Sequence, residues 1–246
     1  MTLPPKAFSL TKQPSDDKSD PAPLFFLRTF QELASLHATE LGVSAALLSE
    51  SNLAWMLHRL RVQFYDWGSG DDYFHFESYP SGFHRMLATR DFIAQNQEGK
   101  IVLRATSAWL IANTEKRRAI PIPGWIQERA PPFAPPILEF SGRRVLKREQ
   151  ELPTVANLRV EETDIDFLNH VNNTRYAHWI LQHIPNDFAE KHELHELDIL
   201  FKSEARLNDQ LQIEQQQDAN TMSHRIRNTK DQTELIQAKT HWKRKK

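Results

Sequence analysis

A group of polar residues precedes one predicted helix of the chain, within residues 161–176. Two aspartates, three asparagines and one histidine stand out there: Asp164, Asp166, Asn169, His170, Asn172 and Asn173. One or two such residues are ordinary N-caps, because a helix start has only a few free backbone N–H groups. The excess beyond capping indicates a site that handles a proton or binds a polar ligand.

The start of this helix also favours a particular chemistry. Free N–H groups and the positive end of the helix dipole stabilise negative charge, so a carbonyl oxygen pointing at Val171 and Asn172 would be polarised for attack. A carboxylate would then activate water, while His170 and the asparagines, including Asn173, orient the water or the substrate. These residue types predict hydrolysis of an activated acyl group, such as a thioester, without a covalent intermediate.

A helix followed by strands must position these residues. The helix is predicted from the apolar stripe Tyr176, Trp179, Ile180 and Ile184, and strands follow at 197–201, 210–215, 222–228 and 234–242. The same order occurs earlier in the chain. A helical stripe there consists of Leu27, Phe30, Leu33, Ala34, His37 and Leu41, with Pro23 in the first turn and Gly42 as C-cap, and strands follow at 60–65, 73–79, 84–95 and 101–113.

The two halves of the chain also share a repeated sequence pattern. Residues 97–105 superpose on 230–238, and Trp109 falls on Trp242 at the same offset (242 − 109 = 133). Upstream, Val62 corresponds to Ile199 at a slightly larger offset (199 − 62 = 137). A duplicated unit explains this pattern, and a helix followed by antiparallel strands predicts an α+β fold in each copy.

A proline-rich stretch separates the two copies. Pro131, Pro132, Pro135 and Pro136 withdraw backbone donors from any sheet. The predicted organisation is an N-terminal domain at 1–130, a linker at 131–152 and a C-terminal domain at 153–246. The 246 residues are enough for two domains of about 100–130 residues each.

Composition excludes several classes of function. The 31 Lys and Arg nearly balance the 32 Asp and Glu, and no nucleic-acid-binding motif occurs, so nucleic acid is not an expected partner. No apolar run approaches the length of a membrane span, and no signal-peptide core is present, so we expect a cytoplasmic protein without a membrane partner. The absence of cysteine excludes a Cys nucleophile and thiolate metal sites. The 11 histidines show no metal-ligand spacing, so no metal is expected.

Several motifs together resemble the plant and bacterial acyl-ACP thioesterase family. The most specific is Asp164-Ile165-Asp166 followed by His170-Val171-Asn172-Asn173, with Tyr176 and Trp179 beyond it. Further similar segments lie at 53–57, 79–82, 88–92, 104–109 and 114–121. The resemblance runs from about Pro21 to the C-terminus.

This resemblance implies the fold, the reaction and the site. The fold would be two tandem hotdog domains, each a long helix wrapped by a curved antiparallel sheet. The reaction would be hydrolysis of fatty acyl-phosphopantetheine on acyl carrier protein (ACP), with no cofactor. By position, the catalytic residues would be Asp166, His170 and Glu204, in the second domain. Trp55 would contribute to substrate binding in the first domain, which would hold the acyl chain. The resemblance does not determine the oligomeric state, and a homodimer is one possible assembly.

The chain departs from the family pattern at two positions. Where the family has an asparagine two residues after the aspartate, this chain has Leu168, with Asn169 beside it. Asn169 is therefore a candidate for the missing amide. Where some relatives have a cysteine after the glutamate, this chain has Ala205, so a Cys-based mechanism is impossible here.

Two alternative functions and one partner surface follow from the same residues. A hotdog thioesterase acting on acyl-CoA would use the same site, and Leu168 leaves open a non-catalytic acyl-binding protein. The basic clusters at 116–118 and 143–148 would suit the acidic surface of a carrier protein, although solvated charge is the favoured explanation of each cluster taken singly.

Overall fold

The computed structural model describes residues 7–13, 22–65, 73–147, 150–166 and 169–245. The chain forms two compact units, built mainly from Phe25–Glu139 and from Phe140–Lys246. This division falls within the predicted linker, while the exact domain bounds stay a prediction. Among the described residues, no helix has both the length and the apolar character needed to cross a membrane.

The described residues of the first unit form three helices and six strands. The helices are α1 (Ala22–Glu40), α2 (Ala45–Ser49) and α3 (Gly124–Gln127). The strands are β1 (Phe8–Lys12), β2 (Leu53–Phe64), β3 (Phe74–His84), β4 (Leu87–Asn96), β5 (Ile101–Asn113) and β6 (Arg118–Ile120). They form an antiparallel sheet in the order β1-β3-β4-β5-β2, with β6 also paired to β5.

Helix α1 packs its aromatic stripe on the strands of its own unit. Phe30 stacks on Phe92 of β4 at 4.6 Å between ring centroids, and Phe26 meets Phe74 of β3 edge-on at 5.1 Å. These rings are almost fully buried, so the hydrophobic effect holds the helix on the sheet. Gly42 has φ +68° after the helix end, which confirms the predicted C-cap.

The second unit repeats this arrangement. Its helices are α4 (Asn173–Gln182) and α5 (Asn186–Lys191). Its strands are β7 (Thr154–Arg159), β8 (His192–Phe201), β9 (Gln210–Asp218), β10 (Thr221–Asn228) and β11 (Glu234–Arg244). They form an antiparallel sheet in the order β7-β9-β10-β11-β8. Each strand therefore has the same place as its counterpart in the first unit.

Strand register confirms the duplication at the level of single residues. Val62 lies opposite Ala105 in the first unit, and Ile199 lies opposite Ala238 in the second. These pairs differ by the two sequence offsets, 137 and 133 (199 − 62 and 238 − 105). The two offsets arise because the two copies differ in length between these strands, while the pairing itself is unchanged.

A β-bulge recurs at the same place in both copies. It lies beside Trp109 in the first unit and beside Trp242 in the second. The bulged residue is His58 in β2 and His195 in β8, and these positions are again 137 residues apart (195 − 58). Since bulges are specific features of a fold, their recurrence supports a common origin of the two units.

The structure adds elements that hydrophobic periodicity did not predict. The strands β1 and β7 both lie at a sheet edge, where half-exposed polar residues weaken the alternating pattern.

The expectation of a long helix holds for α1, with 19 residues, whereas α4 has only 10. The helix α4 ends early because His183 and Pro185 do not continue it.

Candidate functional site

The loop before α4 is closed by backbone hydrogen bonds. Ile165 forms an isolated antiparallel bridge with Val171, and the Asp166 N–H donates to the His170 carbonyl at 2.9 Å. The Asn169 N–H donates to the Asp166 carbonyl at 3.0 Å, and Asn169 adopts φ +61°. Asparagine tolerates this left-handed conformation better than most residues. The loop therefore holds Asp166 and His170 opposite each other, while Leu168 lies outside the described residues.

His170 is paired with a carboxylate from a distant part of the chain. Its Nε2 lies 3.3 Å from Oε2 of Glu204, in the loop after β8. The His170 backbone N–H also points to Oδ1 of Asp166, at a long 3.4 Å. The structure thus brings together the three residues that the resemblance assigned to catalysis, and their individual roles stay predictions.

Both members of this pair remain accessible. The side chain of His170 is 29% exposed and that of Glu204 is 43% exposed. Such a pair contributes little to stability, because solvent screens the attraction between exposed charges. A substrate or a water molecule can reach it, as proton transfer during hydrolysis requires.

Tyr176 is a site component that the sequence analysis did not identify. It lies on α4 with 2% of its surface exposed, and its hydroxyl accepts the N–H of Ala205 at 2.9 Å. The carbonyl of Ala205 accepts the N–H of Val171 at 3.1 Å. Both the N–H and the carbonyl of Ala205 are therefore hydrogen-bonded, which fixes the backbone next to Glu204 and His170. Tyr176 is a positioning residue, since it touches the loop that carries Glu204.

The electrostatic surroundings keep Tyr176 neutral. Burial raises the pKa of its hydroxyl well above the usual value, and the carboxylates of Glu204, Asp209 and Asp166 raise it further. The hydrogen bond from Ala205 lowers the pKa, but by less than burial raises it. A neutral hydroxyl accepts the Ala205 N–H and retains its own proton.

The expected oxyanion site at the helix start is not formed in this conformation. The Val171 N–H donates to the Ala205 carbonyl, and the Asn172 N–H donates to the Asp164 carbonyl at 2.9 Å. Asn172 is the N-cap, since its side-chain oxygen accepts the N–H of Thr174 at 2.9 Å. Capping thus explains the side chain of Asn172. Substrate binding by Val171, Asn172 and Asn173 stays a prediction, and it would have to use atoms other than the bonded N–H groups of Val171 and Asn172.

Asp164 has a structural role. Its Oδ1 accepts from Nε of Arg175 at 2.6 Å, and its Oδ2 accepts from the N–H of Glu161 at 2.9 Å. Only 3% of its surface is exposed, so the ion pair ties the loop to α4 with little competition from water. Some of the polar residues at 161–176, such as Asp164, therefore stabilise the loop and are not needed to explain a reaction.

Trp55 belongs to the packing of the first unit. Its indole N–H donates to the Val43 carbonyl at 2.9 Å, and the ring packs against a hydrophobic cluster that includes Leu48 and Ile111. These contacts explain the residue without a ligand. Its contribution to substrate binding stays a prediction.

Two family descriptions match the chain. Residues 24–129 match the acyl-ACP thioesterase N-terminal domain, and residues 147–244 match the acyl-ACP thioesterase C-terminal domain. Among curated proteins, the chain is 26% identical over 238 residues to palmitoyl-acyl carrier protein thioesterase, chloroplastic, of Gossypium hirsutum, covering 87% of this chain and 57% of that protein. It is 27% identical over 195 residues to oleoyl-acyl carrier protein thioesterase 1, chloroplastic, of Arabidopsis thaliana, covering 73% and 54%. The chain thus spans little more than half the length of these relatives.

Solved structures share the fold over nearly the whole chain. The 12:0-ACP thioesterase from Umbellularia californica superposes with a TM-score of 0.86 and 20% identity, covering 100% of both chains. An acyl-ACP thioesterase from Bacteroides thetaiotaomicron superposes with a TM-score of 0.80 and 21% identity, covering 97% of both. These likenesses confirm the predicted α+β hotdog fold. Since the two matched domains account for most of its residues, the chain belongs to the acyl-ACP thioesterase family.

Proposed function

We propose that this protein hydrolyses the thioester of a fatty acyl group on ACP, releasing a free fatty acid and the carrier thiol. The observation that carries the proposal is the His170–Glu204 pair, with 3.3 Å between Nε2 and Oε2, beside the Asp166 loop. Family membership supports a thioester of ACP as the substrate.

The proposed reaction uses water as the nucleophile. His170 and Glu204 together accept a proton from water as its oxygen attacks the thioester carbonyl. The proton then passes to the sulfur as the carbon–sulfur bond breaks. The chain has no cysteine to form an acyl-enzyme in the manner of a thiol hydrolase, and the reaction needs none.

The test is direct turnover of defined substrates. The purified protein is incubated with a panel of acyl-ACPs and the matching acyl-CoAs, and the released fatty acids are identified by mass spectrometry. We expect saturable release from acyl-ACP that is lost in His170→Ala. Release from acyl-CoA alone would instead support the CoA thioesterase alternative, and tight acyl binding without release would support an acyl-binding protein.

The two domains have separate roles in this proposal. The interior of the first domain is rich in buried aromatic rings, including Phe26, Phe30, Phe76 and Phe92, which suits it to hold the acyl chain. An apolar pocket gains about 0.8 kcal/mol per buried methylene, so its depth would determine the preferred chain length. Exchange of the first domain with that of a relative of different preference should change the product profile. A profile that follows the second domain would contradict this division.

The partner and compartment are also part of the proposal. The partner is ACP carrying fatty acyl-phosphopantetheine, in agreement with the names of the curated relatives. We propose the cytoplasm as the compartment, since a chain without cysteine is indifferent to reducing conditions. Fluorescent tagging of the full-length protein in its own cell would test the location.

A further inference from the structure

The second unit contains a cavity of about 720 Å³ that the proposed reaction does not use. Strands β9, β10 and β11 form one wall, and the segment before β7 forms another. The Leu146 N–H donates to the Gln237 side chain at 3.3 Å, and Arg225 Nη2 donates to the Gln150 carbonyl at 2.8 Å. These bonds hold the segment over the sheet, so the cavity has two fixed walls.

Charged side chains dominate the lining. The cations are Arg144, Lys147, Lys202, Arg225 and Arg227, and the carboxylates are Glu151, Glu214 and Glu234. The formal balance is two positive charges (5 − 3 = 2). A concave surface focuses the field of its charges, so the excess acts on a ligand more strongly here than it would on an open surface.

Two of the carboxylates, the buried Glu214 and the half-buried Glu234, are already paired with cations through both oxygens. Glu214 contacts Arg225 Nη1 at 3.0 Å through one oxygen and Arg227 Nε at 3.4 Å through the other. Glu234 contacts Arg225 Nε at 2.7 Å and Lys202 Nζ at 2.5 Å. With both oxygens engaged, neither carboxylate is available to neutralise a further cation.

Three of the cations retain unused donors. Among the residues that the structure describes, the Arg227 side chain approaches only Glu214, at 3.4 Å, and its buried Nε has no hydrogen-bond acceptor there. Within the described part of the chain, the side chains of Arg144 and Lys147 form no hydrogen bond or ion pair with another residue. All three line the same cavity. These three cationic side chains therefore line the cavity with donors that an anionic ligand could engage.

We propose that this cavity binds an anion of the phosphate class. A phosphate group offers several charged oxygens to a guanidinium fork and an ammonium group at once, which matches Arg227, Arg144 and Lys147. The side chain of Arg225 is 5% exposed and is held by Glu214 and Glu234, so it forms the fixed base of the site. The proposal does not depend on thioester hydrolysis.

Binding of inorganic phosphate to the full-length protein tests the site. Isothermal titration calorimetry in a buffer free of other polyvalent anions should show saturable binding, with phosphate preferred over chloride at equal ionic strength. The absence of saturable phosphate binding to the wild-type protein would overturn the proposal.

Substitutions locate the binding. Arg144→Gln combined with Lys147→Gln removes two exposed side chains and should weaken phosphate binding by about tenfold or more, because charge-assisted hydrogen bonds are lost. Arg143→Gln is the matched control, since Arg143 is exposed on the same segment but does not line the cavity. The control should bind phosphate like the wild type. Equal weakening in the control would show general surface charge and would overturn the proposal.

Arg227→Gln tests the deeper part of the site. It should abolish measurable phosphate binding, and its melting temperature shows whether the fold has survived. The exposed double variant keeps the test decisive even if Arg227→Gln is unstable. Unchanged phosphate binding in both would refute the site.

The source of the phosphate is distinguished by two further titrations, one with 4′-phosphopantetheine and one with pantetheine. If 4′-phosphopantetheine binds more tightly than inorganic phosphate and pantetheine does not bind, the cavity receives the phosphate of the carrier's prosthetic arm. If inorganic phosphate binds as tightly as 4′-phosphopantetheine, the site serves a free anion. Either result supports the site, and the His170→Ala variant should give the same affinities because His170 lies outside the cavity lining.

Discussion

The two domains have the same framework and different loops. Trp109 donates to the Ser107 hydroxyl at 2.7 Å in the first domain, and Trp242 donates to the Thr240 hydroxyl at 2.8 Å at the corresponding place in the second. In the second domain, the loops before α4 and after β8 also bring His170 to Glu204. The proposed chemistry therefore lies on loops of a repeated scaffold, where side chains can change without disturbing strand pairing.

The interiors of the two domains also differ at one equivalent position. Phe92 lies opposite Ala105 in the first domain, whereas His224 lies opposite Ala238 in the second. Phe92 stacks on Phe30 of α1, while His224 is fully buried and bonds to Thr240 at 2.9 Å. The first domain has an apolar core at this place and the second has a titratable one.

The largest expected effect follows from the loop difference. His170→Ala should lower turnover of acyl-ACP by about 10²-fold or more, because it removes a proton-handling group. Glu204→Gln should have a similar effect. His84→Ala, at an exposed histidine of the first domain, is the control and should leave turnover unchanged. Near-normal rates in both second-domain variants would show that the loops do not carry the reaction.

The next effect concerns the positioning of Glu204. Tyr176→Phe removes the acceptor of the Ala205 N–H and should lower kcat by about 10-fold to 100-fold, with KM little changed, since a small misplacement of a catalytic group slows the reaction strongly. Tyr79→Phe removes a hydroxyl from a buried tyrosine of the first domain and serves as control. A rise in KM at constant kcat would assign Tyr176 to substrate binding instead.

The core difference predicts unequal responses to acid. Burial lowers the pKa of His224 to about 3, so the second domain loses stability as pH falls below the ordinary histidine value of about 6.5, by up to about 1.4 kcal/mol per pH unit. In the first domain, burial and Arg90 lower the pKa of His37 to about 4, while burial raises the pKa of Asp91 to about 6. These two groups act in opposite directions as pH falls from 6.5 to 4, so their effects partly cancel.

Hydrogen exchange resolved by domain measures this difference. Between pH 7 and pH 5, peptides of the second domain should lose more protection than those of the first, after correction for the intrinsic exchange rates. His224→Phe copies the residue of the first domain and should flatten the pH dependence of the second, whatever its effect on stability at pH 7. An unchanged slope would exclude His224 as the cause.

The smallest effect concerns the amide missing from the family pattern. Leu168→Asn should change turnover by a few-fold at most while leaving the melting temperature nearly constant. If the Asn169 side chain supplies the amide that the family has at position 168, Leu168→Asn should not raise turnover, and loss of the Asn169 side chain should lower it. Asn169→Gly isolates that side chain, because glycine accepts the φ of +61° without strain. Full activity in both variants would show that no amide is needed there.

Local sequence patterns predicted much of the framework. The predicted strand at 101–113 coincides with β5, and the offsets of 133 and 137 reappear in the strand register. Composition suffices here because β5 is largely buried, so its sequence is mostly apolar over all 13 residues. The pattern fails for β1 and β7, since an edge strand can remain stable with a largely polar sequence.

The sequence by itself determined the two copies of a helix and a strand meander, their apolar faces and the absence of a cysteine nucleophile. The types of the site residues were also visible in it. Only the tertiary structure decided that Glu204 meets His170, that Tyr176 holds Ala205, and that the N–H groups of Val171 and Asn172 are already bonded. Backbone groups near a helix start take whichever acceptor the folded chain brings to them, and that acceptor can come from a residue far away in the sequence.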